Sequence, residues 1–239
     1  FFFFFSAQII FIGYILSSLN RLGEVQSWAA VGLVIVIISA GLLRWIKSPS
    51  DGDGSTPRSI RIIWLELFGS LSSFEKPLLV LLAITSAVIQ ILNLLVIFFS
   101  APHNWDSQTY HLARMAYYLQ HENLAYYDAN YWAQVSHPKG STILFLFTYL
   151  VSGKNENMIQ LVQYVSYLLA ALTVYAIAEK AGSNMGQSMF AALISSLLTD
   201  WLMQSTTAQN DMILTIFFPF VKPKSAKTLF LLHYLSDYL

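Results

Sequence analysis

The sequence predicts an all-α fold, a polytopic bundle of about six membrane-spanning helices whose large extracytoplasmic first loop carries amphipathic helices. Three observations predict it. Of 239 residues, 56% are hydrophobic and 11% charged, whereas soluble domains carry about a quarter charged residues. So few charges cannot cover a soluble surface of this size, while a lipid-facing surface needs none. Apolar runs recur at lengths near the roughly 20 residues that a spanning helix needs. Between them lies one segment of different character, Ala101 to Asn157, which holds four of the five histidines and seven of the thirteen tyrosines.

The chain opens on Phe1 to Phe5, without methionine, a basic n-region or a small-residue cleavage site. It is expected to be a fragment or a processed form rather than to begin with a signal peptide. Phe1 to Leu19 is the first expected span. Trp28 to Trp45 is the second, after a polar turn with Arg21 and Glu24. A linker over 44–61 follows, with Arg44, Lys47, Arg58, Arg61 and the run Ser48-Pro49-Ser50-Asp51-Gly52-Asp53-Gly54. Ile62 to Phe74 is weakly amphipathic and suits the membrane interface. Pro77 to Ser100 is the clearest span, with proline in a first helical turn. Lys and Arg concentrate in cytoplasmic loops, so the basic linker is expected inside and the segment after Ser100 outside.

Ser141 to Ser152 is apolar but twelve residues long. Such a helix rises about 18 Å against about 30 Å of hydrocarbon, so a buried or re-entrant helix is expected. Met158 to Ala178 then runs inward, ending at Glu179-Lys180-Ala181-Gly182, and Gln187 to Gln204 runs outward. That topology puts Asp106 and Asp211 on the same outer face; a spanning 141–152 would put them on opposite faces. A last apolar run extends from Asp211 to Val221, and Lys222-Pro223-Lys224 breaks it. The expected organisation is 1–76 for the N-terminal helices and basic linker, 77–221 for a membrane module with outer loop 101–157, and 222–239 for an atypical tail.

Net charge is zero, which gives a nucleic-acid partner no electrostatic support. The absence of cysteine excludes disulfides, thiol catalysis and zinc–thiolate sites. The histidines lack the i, i+4 spacing of a helical metal pair. No cofactor is indicated, and a divalent metal stays open.

Asn104 to His121 reads as an amphipathic helix at 100° per residue. Trp105, Leu112, Met115, Ala116 and Leu119 share one side, to lie on the membrane or the bundle. His103, Asp106, Tyr110, Arg114, Tyr117 and His121 share the other. That polar side suits a ligand with an anionic part: arginine for phosphate, tyrosine for sugar faces or membrane edges, aspartate as a base. A plainer reading stands beside each. Asp106 and Asp211 fit helix N-caps, and on periodicity alone the cap is the more economical role for Asp106. Tyr126, Tyr127, Tyr131 and Trp132 fit an interfacial aromatic belt.

The run Trp105-Asp106-Ser107-Gln108-Thr109-Tyr110-His111-Leu112-Ala113-Arg114 resembles the W-D-S-x-x-Y-H-L-x-R start of the first outer loop in bacterial GT-C-type glycosyltransferases. These membrane enzymes are related to protein O-mannosyltransferases and lipid A aminoarabinose transferases. Gln120, Tyr126, Tyr127, Pro138 and the helix over 141–152 follow in the family's order. Ser205-Thr206-Thr207-Ala208-Gln209-Asn210-Asp211 resembles its S-T-Q-x-D segment, which opens the second outer loop. The resemblance covers roughly Pro77 to Phe218. The chain departs from it at Ala133-Gln134, where the family often has Arg-Gln, and at His137-Pro138-Lys139-Gly140-Ser141, where it often has Pro-Pro followed by Glu. Family members are also much longer, so a truncated product is expected.

The resemblance implies a multi-pass protein of the plasma (inner) membrane, in contact with membrane lipids. It would move a hexose or pentose from a polyprenyl-phosphate donor to a protein, lipid or glycan acceptor at the outer face. It makes Asp106 the base for the acceptor hydroxyl, with Asp211 nearby, orienting the acceptor or supporting the first carboxylate. Tyr110, His111, Arg114, Gln134 and Lys139 become substrate-binding residues, with Arg114 or Lys139 offsetting the phosphate. Two other functions compete: a non-catalytic or inactive truncated membrane subunit on the same scaffold, and a transporter. The uncharged interiors of 77–100 and 158–178 weigh against transport.

Overall fold

A computed structural model of the chain describes residues 2–46 and 60–215. The Ser48–Gly54 run, the end of the last apolar segment and the tail from Lys222 lie outside the described residues. Every regular element among the described residues is helical. In order they are α1 (Phe2–Ser18), α2 (Val25–Ile46), α3 (Ile60–Gly69), α4 (Glu75–Phe99), a π-helical turn (Ser107–Leu112), α5 (Ala113–His121), α6 (Ala133–Ser136), α7 (Gly140–Val151), a 3-10 turn (Glu156–Ile159), α8 (Gln160–Lys180), α9 (Met185–Ser196), α10 (Thr199–Ser205) and α11 (Asp211–Thr215). They form two compact units that interleave along the chain. One comprises Phe1–Pro57 with Thr109–Asn155, the other Arg58–Gln108 with Glu156–Leu239.

In the first unit α1 packs on α2 and α7, and α5 packs on α7. The twelve-residue α7 is an internal element here: Thr142, Ile143, Leu144, Phe145, Leu146 and Leu150 are all buried. Trp28 is buried too, and its indole donates to the Leu22 carbonyl oxygen at 2.8 Å. Gly13 lets α1 approach α7 closely. A Cβ there would lie 2.5 Å from Ile143 Cγ2, a methyl on a β-branched side chain with little freedom to move. Gly13→Val is therefore expected to destabilise the protein by roughly 1–3 kcal/mol through overpacking. The denaturation midpoint checks this against Gly32→Ala, whose added Cβ meets only Ile12 Cδ1 at 3.8 Å.

In the second unit α8 packs on α9, α10 and α11, while α4 and α3 pack on α9. Reciprocal bonds between Ser72 and Glu75 mark the start of α4, and an Asn184–Gln187 capping box starts α9, each satisfying helix-end amides. Two helical stretches, Glu75–Phe99 and Glu156–Lys180, are long and apolar enough to cross a membrane. Their apolar windows are only 17% and 28% buried within the protein, unlike the core helix of a soluble domain. Leu81, Ile84, Val88, Ile91 and Leu92 of α4 all face outward. An apolar surface of this extent calls for lipid or another partner.

About six spans were expected; α2 has 22 residues, and the remaining apolar helices are shorter. Helix α1 has 17 residues, and the run over 187–204 is broken. It divides at Leu197 and Leu198, where Leu198 is extended (φ −61°, ψ 130°) and Thr199-Asp200 opens α10. The break frees the Ser196 carbonyl oxygen, which accepts from the Tyr167 hydroxyl at 2.6 Å. Gln90 donates to that same hydroxyl at 2.8 Å, and Asn93 donates to Ser205 Oγ at 3.1 Å. A polar, uncharged seam thus joins α4 to α8 and α10 inside an otherwise apolar unit, where each such bond gains from the low dielectric.

Candidate functional site

The sequence-derived site residues divide between the units, and the division falls inside the π-helical turn, between Gln108 and Thr109. Asp106 and Asp211 belong to the second unit. Tyr110, His111, Arg114, Gln134 and Lys139 belong to the first.

In the second unit, helix begins at Trp105, so Asn104 stands before it and Asp106 lies inside its first turn. The N-cap role is therefore not that of Asp106. Its carboxylate makes a long-range bond instead: Oδ2 accepts from Gln209 Nε2 at 2.9 Å. The neighbouring Ser107 is fully buried. Its hydroxyl accepts from the Ala208 amide at 2.8 Å and donates to Asn104 Oδ1. These bonds fasten the Asn104–Ser107 corner to the Ala208–Gln209 corner, about a hundred residues later in the chain. Asp211 likewise is no cap but the first residue of α11.

The Asp211 carboxyl is pushed above its ordinary range, first by desolvation and then by the charges of Asp106 and Asp200, against a pull from its own backbone amide. The residue is exposed, so solvent screens much of this. The charges of Asp106 and Asp200 nonetheless both reach Asp211 in this unit. Sequence reasoning missed Asp200 and gave Gln209 no role. The glutamine of the Q-x-D spacing was the signal available.

In the first unit the inward face of the loop helix differs from both sides of the expected wheel. Tyr110, His111, Arg114, Met115 and Tyr118 are buried, and Trp105, expected on the apolar side, is 75% exposed. The wheel sorted residues by polarity, but a polar side chain can turn inward where its polar atoms find partners, as those of Arg114 do. Arg114 is 0% exposed. Its Nε donates to Thr142 Oγ1 at 3.0 Å, one terminal nitrogen donates to the His137 carbonyl oxygen at 2.7 Å, and the other donates to the Pro138 carbonyl oxygen at 3.1 Å and to Thr142 Oγ1. The guanidinium is not presented to a ligand space. It braces the 137–142 corner where α7 begins.

Around it lies a ring cluster. Tyr110 packs against His111 at 4.1 Å and stacks on His137 at 5.0 Å, and Trp132 also stacks on His137 at 5.5 Å. Tyr117 stacks on Tyr127 at 3.5 Å and on His121 at 4.1 Å. Gln134 donates to the Thr109 carbonyl oxygen at 2.7 Å and accepts from the Tyr127 hydroxyl at 3.3 Å. Lys139 donates to the Leu124 carbonyl oxygen and stands 3.9 Å from the centre of the Tyr126 ring, a cation–π contact. Burial, then the Arg114 charge, lowers its ammonium below the usual lysine range. Trp132 and Tyr126 remain largely exposed at the edge of this cluster.

His111 is the most perturbed of these groups. Its ring is 1% exposed, and neither nitrogen has a hydrogen-bond partner within the protein. Desolvation, with the Arg114 and His137 charges, lowers its pKa from 6.5 to about 3. The folded state thus holds fewer protons than the unfolded state between those values. Stability from this group is complete above about pH 6.5, and is lost as pH falls toward 3, by up to about 1.4 kcal/mol per pH unit. Melting temperature is expected to drop across that window. His111→Phe, which has no proton to gain, is expected to flatten the dependence.

Among the described residues no group of three His, Asp or Glu side chains is placed to hold a metal ion. Comparison with protein-family models, with curated proteins and with solved structures finds no match to this chain.

Proposed function

We propose that the chain is a multi-pass membrane glycosyltransferase of the GT-C type. In this reading about six segments span the plasma (inner) membrane, and transfer takes place at its extracytoplasmic face. The observation that carries the reading is the joining of its two motif segments. Gln209 bonds to Asp106, and Ala208 bonds to Ser107, so the first-loop aspartate and the Q-x-D segment occupy one unit. The likeness to the family had rested on each segment separately.

The chemistry follows from the carboxylates. Asp106 takes the proton of the acceptor hydroxyl as that oxygen attacks the anomeric carbon. A new carbon–oxygen bond forms, the bond from the anomeric carbon to the phosphate oxygen breaks, and the polyprenyl phosphate leaves with inverted configuration at the sugar. Asp211, whose carboxyl feels the Asp106 charge, orients the acceptor or supports Asp106. Arg114 is assigned to the scaffold, because its guanidinium is spent on protein oxygens. Lys139 is engaged likewise, with the Leu124 carbonyl oxygen and the Tyr126 ring, so neither cation is assigned to the phosphate.

Topology is the first test, and the cysteine-free chain makes it direct. Single cysteines at Gln108 and Thr206 are expected to react with a membrane-impermeant maleimide from outside intact cells. A cysteine at Ser183 is expected to react only after permeabilisation. Labelling of positions 108 and 206 from opposite sides would overturn the reading.

A further inference from the structure

We infer that Gln209 is the positioning residue for the Asp106 carboxylate, and that it makes one carboxylate oxygen the working one; this rests on the transferase reading above. Asp106 is half-buried in the first turn of its helix and forms no ion pair among the described residues. Its side chain has two torsions to settle, and Gln209 Nε2, 2.9 Å from Oδ2, is the contact that settles them. Oδ1 is left as the oxygen that can meet a hydroxyl proton.

The orientation of the Gln209 amide is itself held from its other end. Its Oε1 lies 3.3 Å from the Oγ1 of Thr207, a buried residue whose single hydroxyl proton is shared between that oxygen and the nearer Gln204 carbonyl oxygen at 2.8 Å. Reversing the amide would set its oxygen against the Asp106 carboxylate, which has no proton to offer while ionised. The Ser107–Ala208 bond fixes the two backbones from which Asp106 and Gln209 project, so the pair needs no rearrangement to form.

The test uses the full chain in detergent or nanodiscs, with Gln209→Leu, Thr207→Val and Thr207→Ser, each run beside Asp106→Asn. Turnover is read with undecaprenyl phosphate carrying tritiated mannose or aminoarabinose. Carboxyl accessibility is read without any substrate, as the rate at which a water-soluble carbodiimide modifies the Asp106 and Asp200 peptides. Gln209→Leu is expected to lower kcat on the order of 10²-fold with KM unchanged, and to speed modification of Asp106 severalfold while leaving Asp200 at its wild-type rate. Thr207→Val is expected to lower kcat by a smaller factor, with no further loss when combined with Gln209→Leu, and Thr207→Ser is expected to restore it. Unchanged modification of Asp106 in Gln209→Leu would overturn the inference. So would equal acceleration at Asp106 and Asp200, since a loosened fold would do the same. Turnover retained by Asp106→Asn alongside selective exposure of Asp106 in Gln209→Leu would remove the transferase reading and leave the positioning contact standing.

Discussion

Arg114→Met is expected to destabilise the unit built from Thr109–Asn155 and the N-terminal helices by roughly 1–3 kcal/mol. The methionine fills similar space and spares the cost of burying a charge. It also strands the His137 and Pro138 carbonyl oxygens and the Thr142 hydroxyl, which the guanidinium now satisfies. The Thr142 hydroxyl is buried and costs about 1–3 kcal/mol when left without its donor, while the less buried His137 and Pro138 carbonyl oxygens add less. Arg114→Lys is expected to lose less but not to rescue. A single ammonium cannot reproduce a planar fork that reaches three oxygens at once. The midpoint of denaturant unfolding in detergent, followed by tryptophan fluorescence, measures both. A wild-type midpoint for Arg114→Met would mean that Arg114 is not the brace of this corner.

The arginine also marks where sequence reasoning reaches and where it stops. The twelve-residue α7 was legible because length alone separates a spanning helix from a buried one. The start of α9 was set by Asn184 and Gln187, and such local bonds leave a trace in sequence spacing. The inward face of the loop helix was not legible. Polarity put Arg114 outward, and only the carbonyl oxygens of 137–138 and the hydroxyl of Thr142 make its burial tolerable. The break at Leu197–Leu198 was hidden for a like reason. No proline or glycine announces it, and the freed Ser196 carbonyl oxygen is met by Tyr167 from another helix. The pairing of Asp106 with Gln209 likewise depends on contacts between distant parts of the chain, which have no period.

Asp106→Asn carries the other large expected effect. Asparagine keeps the shape of the side chain, and its oxygen can still accept from Gln209 Nε2, so the corner tied by Ser107 and Ala208 stays intact. What it loses is the capacity to take a proton from an attacking hydroxyl. General-base catalysis is worth about 10²–10⁴-fold, and transfer is expected to fall by that factor with folding and membrane insertion unchanged. Asp211→Asn is expected to cost less. It removes a repelling charge and a supporting group but leaves the base in place.

The most direct measurement is therefore the transfer of tritiated sugar from undecaprenyl phosphate by purified wild-type and Asp106→Asn protein, matched for thermal stability. The account predicts turnover by the wild type with mannose or aminoarabinose as the sugar, and a loss of at least about a hundredfold in the variant. Transfer at the wild-type rate by a folded Asp106→Asn protein would contradict it.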